Sequence, residues 1–252
     1  MGIEAYLNTP GLRVLPYDTL PSTNTALTEL ARGGAEEGTV VLADGQTAGR
    51  GRMGRSFLSP VGGLYMSLLL RPQDAVTDAL RLTAMAAVSA AEAIGSVSGR
   101  RVGIKWVNDL LIDGRKVCGI LAEGRVKNAA LEYAVLGFGV NILPPPGGFP
   151  AELEDIAGCV YASGDARSLR DATAAAILDR FLAYYHGERG GWLDEYRARS
   201  VLIGREVDVI QNGGSVPARA LSIADDLSLN VRLPDGSLRA LRSGEVSVRE
   251  RK

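Results

Sequence analysis

Three successive strands can be read directly from residues 101–123, whose sequence is RVGIKWVNDLLIDGRKVCGILAE. Val102, Ile104 and Trp106 alternate with polar or small residues, which is the two-residue period of a strand with one buried face. Asp113-Gly114 is a strong signal for a two-residue hairpin turn. The predicted strands cover residues 101–106, 109–112 and 116–123.

Apolar runs on either side of this stretch predict the rest of the main sheet and four helices. Further strands are predicted over residues 39–43, 64–70 and 132–140. Helices are predicted after the N-cap signature Ser22-Thr23-Asn24 and over residues 77–94, 168–185 and 192–199. Because hairpins join neighbouring strands and the helices are grouped, the pattern favours an α+β fold with a mostly antiparallel mixed sheet over a doubly wound α/β fold.

The residue pattern of the sequence changes from Val201 onward. Short β-prone runs are separated there by the turn signals Asn212-Gly213-Gly214 and Pro234-Asp235-Gly236. Roughly five strands in about fifty residues indicate a small barrel-like module. We therefore predict a main domain over residues 1–199 and a small C-terminal β domain over residues 200–252.

Composition and charge narrow the classes of function. The chain has 252 residues, of which 46% are hydrophobic and 23% charged, and its formal net charge is -1. These values are ordinary for a globular protein and lack the basic excess of a nucleic-acid binder. Residues 1–9 do not read as a signal peptide, and no apolar run looks long enough to cross a bilayer. Cys118 and Cys159 have no metal-ligand spacing, so we expect structural, buried thiols in a cytoplasmic protein and a structural His186.

The segment Gly49–Arg55, which we call the arginine loop, alternates glycines with arginines as GRGRMGR. Glycines let a backbone turn sharply and approach a ligand, and guanidinium groups match carboxylate and phosphate oxygens. The segment matches neither a P-loop nor a dinucleotide-binding fingerprint. Its composition fits a loop that closes over an anion, and it equally fits a solvated basic loop or a nucleic-acid patch.

Three further clusters follow the arginine loop along the chain. The first, Lys105-Trp106-Val107-Asn108-Asp109, lies at a strand end, where its side chains can project into a site or simply form a turn. Lys116 stands beside the hairpin turn, and Gly119 removes a side chain from the same strand, as happens where a ligand approaches closely. Gly137, Gly139 and Asn141 then interrupt an apolar strand, which fits either a binding site or a bulge.

In this order, the motifs resemble those of the biotin protein ligases, over residues 20–250. The motifs are GRGRMGR, KWVND, RKVCGILAE and GFGVN. The resemblance implies a catalytic domain like that of class II aminoacyl-tRNA synthetases, followed by a small SH3-like β-barrel. It implies an enzyme that makes biotinyl-5'-AMP from biotin and ATP and then transfers biotin to a lysine of a biotin carboxyl carrier protein.

The resemblance also implies what the enzyme needs and what it does without. ATP and Mg²⁺ are required, and no tightly bound protein metal is expected. Since the motifs begin at Ser22, the resemblance is to the monofunctional type without an N-terminal DNA-binding domain. No nucleic-acid or membrane partner is therefore expected, and a monomer and a homodimer both stay open.

Roles for individual residues come from the same resemblance. Biotin binding is assigned to Ser22, Thr23, Asn24, Gln46, Gly49, Arg50, Gly51, Arg52, Lys116 and Gly119. ATP or adenylate binding is assigned to Arg52, Arg55, Phe57, Lys105, Trp106, Asn108, Asp109 and Asn141. Arg52 and Lys116 are the expected catalytic residues, and Asp109 is the candidate ligand for Mg²⁺.

The chain departs from the family pattern at three places. Val107 stands where proline is usual, and Phe57 stands where tryptophan is usual, so the predicted ring has no N–H to donate. Ser222–Leu227 replaces a Gly-Ile-Asp-x-x-Gly turn in the C-terminal module. Two alternatives stay open at this point, namely a lipoate or octanoate ligase of the same fold and a non-catalytic sensor of biotin or nucleotide.

Overall fold

The main sheet has seven strands in the order β1-β2-β3-β7-β6-β5-β4. The computed structural model describes residues 2–72, 79–127, 130–211, 214–242 and 247–250. The strands are β1 Arg13–Leu20, β2 Thr39–Gln46, β3 Leu64–Leu70, β4 Gly103–Lys105, β5 Asp109–Ile112, β6 Arg115–Lys127 and β7 Ala130–Val140. β1 and β2 are parallel and the other described pairs are antiparallel, which confirms a mixed, mostly antiparallel sheet in an α+β fold.

Four helices cover the two faces of this sheet. They are α1 Thr23–Arg32, α2 Ala79–Ser98, α3 Ala166–Tyr185 and α4 Trp192–Arg199. The strands alternate their side chains between the faces, so that Val41 and Ala43 pack with α1 while Val40 and Leu42 join the core with α2 and α3. Ser22 caps α1 by accepting a hydrogen bond from the backbone N–H of Thr25, as the N-cap signature predicted.

Helix α2 is long and apolar enough to cross a membrane, which corrects the expectation that no apolar run has the length. Of an 18-residue apolar stretch in this helix, 61% is buried inside the fold. Core helices of globular proteins can be equally long and apolar. The predicted start of this helix, at Thr77, lies outside the described residues.

A second, five-stranded antiparallel sheet follows α4, in agreement with the number of strands predicted there. Its order is β11-β10-β9-β8-β12. The strands are β8 Glu206–Gln211, β9 Gly214–Ile223, β10 Leu229–Arg232, β11 Leu238–Leu241 and β12 Ser247–Glu250. Val207, Ala218 and Leu229 belong to the same buried cluster as the main core, so the two sheets share apolar packing.

Some element boundaries differ from the prediction, and one strand was missed. Strand β1 escaped notice because it is a mostly exposed edge strand, in which Leu20 alone is fully buried and Pro16 interrupts the β-prone pattern. β4 is shorter than predicted, although Val102, Ile104 and Trp106 are all buried as their alternation indicated. The turn predicted at Asn212-Gly213 lies outside the described residues.

Candidate active site

A cavity of about 170 Å³ opens where α1 begins, beside the arginine loop and strands β6 and β7. It brings together most of the residues predicted for the site: Ser22, Thr23, Asn24, Gln46, Arg50, Gly51, Arg52, Arg55, Phe57, Lys105, Trp106, Asn108, Asp109, Lys116 and Gly119. Gly49 and Asn141 do not line it. Gly137 and Gly139, which fitted either a binding site or a bulge, also line it, and the lining residues to which the sequence reasoning gave no role are Met53, Ser56, Ile120, Leu121 and Phe138.

One end of the cavity, which we call the amide end, is built on Ser22, Thr23, Asn24 and Gln46. Gln46 Oε1 accepts a hydrogen bond from the backbone N–H of Thr23 at 2.9 Å, and its Nε2 donates to Ser59 Oγ at 2.9 Å. Since a backbone N–H can only donate, the contact with Thr23 fixes which atom of the Gln46 amide is the oxygen.

The amide of Asn24 is oriented just as firmly. Its Nδ2 donates to Glu123 Oε2 at 2.9 Å and to the carbonyl of Leu121 at 3.3 Å, while Ser67 Oγ lies 2.6 Å from its Oδ1. Gly137 leaves the space that this amide occupies, because a Cβ there would lie 2.1 Å from Asn24 Oδ1. This contact accounts for one of the glycines that interrupt the apolar strand.

These bonds leave a small, defined hydrogen-bonding capacity at the amide end. Within the described residues, one N–H of Gln46 Nε2 and one lone pair of Asn24 Oδ1 have no protein partner. The Ser22 hydroxyl accepts the helix-capping bond and keeps its proton to donate. The amide end therefore offers two donors and one acceptor to a ligand, and it carries no charged group of its own.

The opposite end, which we call the charged end, holds Arg52, Asn108, Asp109 and Lys116. Lys116 Nζ lies 2.7 Å from Asp109 Oδ1, and Arg52 Nη1 donates to Asn108 Oδ1 at 2.9 Å. Asn108 Nδ2 in turn donates to Asp109 Oδ1 and to the carbonyl of Ile120. Burial lowers the pKa of Arg52, and the nearby carboxylate of Asp109 opposes that shift.

The ring of Phe57 lies on the sheet between the two ends. Gly119 and Gly139 are cross-strand partners, and a Cβ on either would come within 3.1 Å or 2.7 Å of this ring, respectively. Lys116 Nζ lies 5.5 Å from the ring centroid, within the range of a cation–π contact. The two glycines thus leave room for the ring of Phe57, while the ligand contact predicted at Gly119 stays a prediction.

The arginine loop folds back on itself as a small hairpin. The N–H of Phe57 donates to the carbonyl of Gly49 at 2.9 Å, and the N–H of Gly51 donates to the carbonyl of Arg55 at 2.7 Å. A Cβ on Gly49 would lie 2.4 Å from the carbonyl oxygen of Phe57, so Gly49 serves the packing of the loop base. The side chain of Arg50 pairs with Glu123, and its Nη2 lies 2.6 Å from Glu123 Oε2.

The wall at Trp106 rests on α4 and on the second sheet. Trp106 Nε1 donates to the carbonyl of Leu227 at 2.9 Å, and the hydroxyl of the fully buried Tyr196 donates to the carbonyl of Val107 at 3.0 Å. Leu227 occupies the left-handed region with φ of 65°, at the turn where the family pattern has glycine. Although this turn departs from the family pattern, it contacts the cavity wall through the bond between Leu227 and Trp106.

Asn141 and Cys118 lie close to the charged end without lining the cavity. Asn141 Nδ2 donates to the carbonyl of Gly158 at 2.9 Å and contacts the carbonyl of Lys116 at 3.4 Å, which ties strand β6 to the loop after β7. The adenine contact predicted for Asn141 stays a prediction. Burial raises the pKa of the Cys118 thiol to about 12, with a smaller opposing effect of Lys116.

Comparison with known proteins agrees with this arrangement. A profile of the Biotin/lipoate A/B protein ligase family matches residues 17–141. The biotin--[acetyl-CoA-carboxylase] ligase of Mycobacterium tuberculosis is 33% identical over 221 residues, which cover 84% of this chain and 79% of that protein. The chain belongs to the biotin protein ligase family.

Other biotin protein ligases resemble the chain over shorter lengths or in fold. The bifunctional ligase/repressor BirA of Bacillus subtilis is 43% identical over 148 residues, or 58% of this chain and 46% of that protein. The chain thus spans about half the length of several curated relatives that it matches. The structure of the Aquifex aeolicus biotin protein ligase in complex with biotin and ATP superimposes with a TM-score of 0.78 at 24% identity, over 95% of this chain and 99% of that chain, which shows the shared fold.

Proposed function

We propose that this chain is an ATP-dependent biotin protein ligase, which makes biotinyl-5'-AMP and then transfers biotin to a lysine of a biotin carboxyl carrier protein. The relatives bear this activity in their names, and a related structure holds biotin and ATP. The observation that carries the proposal is the hydrogen-bonding capacity left at the amide end.

A ureido ring matches that capacity group for group. The ureido carbonyl accepts hydrogen bonds, so it can take the free N–H of Gln46 and the hydroxyl proton of Ser22. A ureido N–H can donate to the remaining lone pair of Asn24 Oδ1. The dithiolane ring of lipoate and the alkyl chain of octanoate offer none of these partners and would leave the three groups unpaired, which proteins strongly disfavour.

The charged end suits the first chemical step. A biotin carboxylate oxygen attacks the α-phosphorus of ATP and forms a new O–P bond. Pyrophosphate leaves with the electrons of the broken P–O bond. Lys116 pairs with Asp109, so an incoming carboxylate or phosphate can replace Asp109 as the partner of Lys116. Lys116 and Arg52 then stabilise the charge that develops on the phosphate oxygens.

Mg²⁺ and ATP find fitting groups at the same end. Mg²⁺ is usually held by one or two carboxylates together with substrate phosphates, and Asp109 supplies a carboxylate once Lys116 has moved to the substrate. When bound, the ion neutralises phosphate charge. We assign the nucleotide to the residues predicted for it, with Phe57 stacking on adenine: Arg55, Phe57, Lys105, Trp106, Asn108 and Asn141.

Transfer follows on the same cavity. The neutral amine of the carrier lysine attacks the acyl carbon of the mixed anhydride, the C–N bond forms, and AMP leaves with the electrons of the acyl C–O bond. The arginine loop, of which Gly51, Arg52 and Met53 line the cavity, would keep water from the anhydride while it waits. Binding of Arg50, Gly51 and Gly119 to biotin belongs to this proposal.

Finer points of architecture are proposals as well. We assign residues 1–199 to a class II synthetase-like catalytic domain and residues 200–252 to an SH3-like barrel, on the support of the second sheet and of the family resemblance. A cytoplasmic location is supported by two cysteines that are both free thiols, as in reducing compartments.

Biotin-dependent exchange of pyrophosphate into ATP tests the proposal. The purified chain should catalyse exchange with biotin and Mg²⁺ and none with lipoate or octanoate. Exchange with lipoate but not with biotin would assign the chain to the other branch of the family. Tight binding of biotin without any exchange would instead make it a sensor.

A further inference from the structure

Two polar side chains that do not line the cavity meet at the amide of Asn24. Ser67 is fully buried in the otherwise apolar strand β3, whose sequence is LYMSLLL. Glu123 lies on β6 with a side chain that is 35% exposed. A buried hydroxyl in an apolar strand and a carboxylate beside a neutral pocket both carry a desolvation cost, so each needs a compensating partner.

Each of these side chains has found its partner at the amide end. Ser67 Oγ lies 2.6 Å from Asn24 Oδ1 and 2.8 Å from Thr23 Oγ1. Glu123 Oε2 accepts from Asn24 Nδ2 at 2.9 Å. Because a carboxylate and a carbonyl can only accept, Glu123 and the carbonyl of Leu121 hold the nitrogen of the Asn24 amide toward β6. The oxygen of the amide then lies at Ser67 and against Gly137, which lines the cavity.

We infer that Glu123 and Ser67 are positioning residues that hold Asn24 with its acceptor toward the cavity, and thereby select a ligand ring that donates an N–H there. The inference rests on the proposed function and deepens it, because it names what sets the polarity of the ureido site. An Asn24 amide rotated by half a turn would present its NH₂ group to the ureido N–H, donor against donor. The carboxylate of Glu123 removes that alternative.

The same oxygen of Glu123 links the amide end to the arginine loop. Glu123 Oε2 accepts from Asn24 Nδ2 and pairs with Arg50 Nη2 at 2.6 Å. A change in the position of Arg50 therefore changes the electrostatic environment of the acceptor that orients Asn24.

Titration of biotin into the full chain without ATP tests the inference. Glu123→Met leaves Asn24 Nδ2 only the longer bond to the carbonyl of Leu121 and should raise the Kd for biotin about tenfold, since a hydrogen bond to a charged group is lost. Glu123→Gln keeps a neutral acceptor oxygen and should raise the Kd less. Ser67→Ala should raise it by about threefold to tenfold, since a neutral hydrogen bond is lost.

Matched controls of the same residue types lie elsewhere in the main domain. Glu132→Met removes a carboxylate from β7 that pairs with Arg125 at 3.1 Å and does not reach Asn24. Ser89→Ala removes another fully buried hydroxyl, bonded to the carbonyl of Met85 on α2. Both controls should leave the Kd for biotin within about twofold, which is the scale of substitutions remote from a site.

A double-mutant cycle separates positioning from general stability. If Glu123 acts through Asn24, Glu123→Met should change the Kd less than about twofold in an Asn24→Ala background. A full effect of Glu123→Met in that background would overturn the inference, as would an unchanged Kd in the Glu123→Met single variant. The proposed function would survive either outcome, whereas failure of the unsubstituted chain to bind biotin would overturn both.

Discussion

The two ends of the cavity solve the problem of buried polarity in opposite ways. At the amide end, neutral groups bond to one another until a short set of donors and acceptors is left over, as at Gln46 and Asn24. At the charged end, opposite charges neutralise each other, as Lys116 does with Asp109. The hydrogen bonds at the amide end can stay in place when a ligand binds, whereas the ion pair at the charged end has to be exchanged for ligand contacts.

This difference assigns recognition to one end and chemistry to the other. A preorganised neutral network discriminates between ligands because a wrong ligand leaves its groups unpaired. Charges that pair with each other avoid the cost of isolated buried ions and become available when phosphate or carboxylate replaces the internal partner. Substitutions at the amide end should therefore mainly weaken biotin binding, and substitutions at the charged end should mainly slow pyrophosphate exchange.

The largest effect is expected at Lys116. Lys116→Met should slow biotin-dependent pyrophosphate exchange by about 100- to 1000-fold, the usual consequence of removing one group that stabilises transition-state charge. Biotin affinity measured without ATP should fall by a smaller factor than the exchange rate, since only one contact to the biotin carboxylate is lost. Lys127→Met, on the same strand but 63% exposed, is the matched control and should exchange at the rate of the unsubstituted chain. Equal losses in both variants would contradict the separation of roles.

A smaller and different effect is expected at Gln46. Gln46→Leu removes a donor to the ureido carbonyl and the acceptor of the Thr23 N–H, so the Kd for biotin should rise by about 10- to 100-fold. The rate of exchange at saturating biotin should change less than the Kd does. Gln211→Leu, in the second sheet, serves as the control because Gln211 contacts Arg239 there. A fall in the saturated rate with an unchanged Kd would reverse the assignment of the two ends.

The smallest effect is expected from thiol reagents. Burial raises the pKa of Cys118 to about 12 and that of Cys159 to about 11, and a thiol far below its pKa holds too little thiolate to react quickly. Iodoacetamide at pH 8 should therefore leave Cys118 unmodified and exchange unchanged, although Lys116 is close by. The intact mass and the exchange rate, measured together, check this. Rapid loss of activity together with one alkyl group on Cys118 would contradict the burial of this thiol beside the charged end.

The sequence predicted the main elements and most of the cavity lining, for reasons that particular residues make plain. Alternation at Val102, Ile104 and Trp106 and the turn at Asp113-Gly114 are local signals, and the structure keeps them. The arginine loop and Lys116, each of which alone also fits a solvated surface, were assigned to the site through their order with the other motifs and the family resemblance.

What the sequence could not predict depends on contacts between distant strands. Ser67 lies 44 positions from Thr23 along the chain, and its role is visible only when β3 is placed beside α1. The room for the ring of Phe57 needs the register that pairs Gly119 with Gly139. Strand β1 is an exposed edge with little apolar periodicity, so local pattern alone did not reveal it.

Titration of biotin and of lipoate into the ligand-free chain, without ATP, tests most directly whether the amide end is a ureido site. Biotin should bind to a single site, and lipoate at the same concentration should neither bind nor displace it. Equal affinity for the two ligands, or displacement of biotin by lipoate, would contradict the account, because lipoate cannot satisfy the groups left over by Gln46 and Asn24.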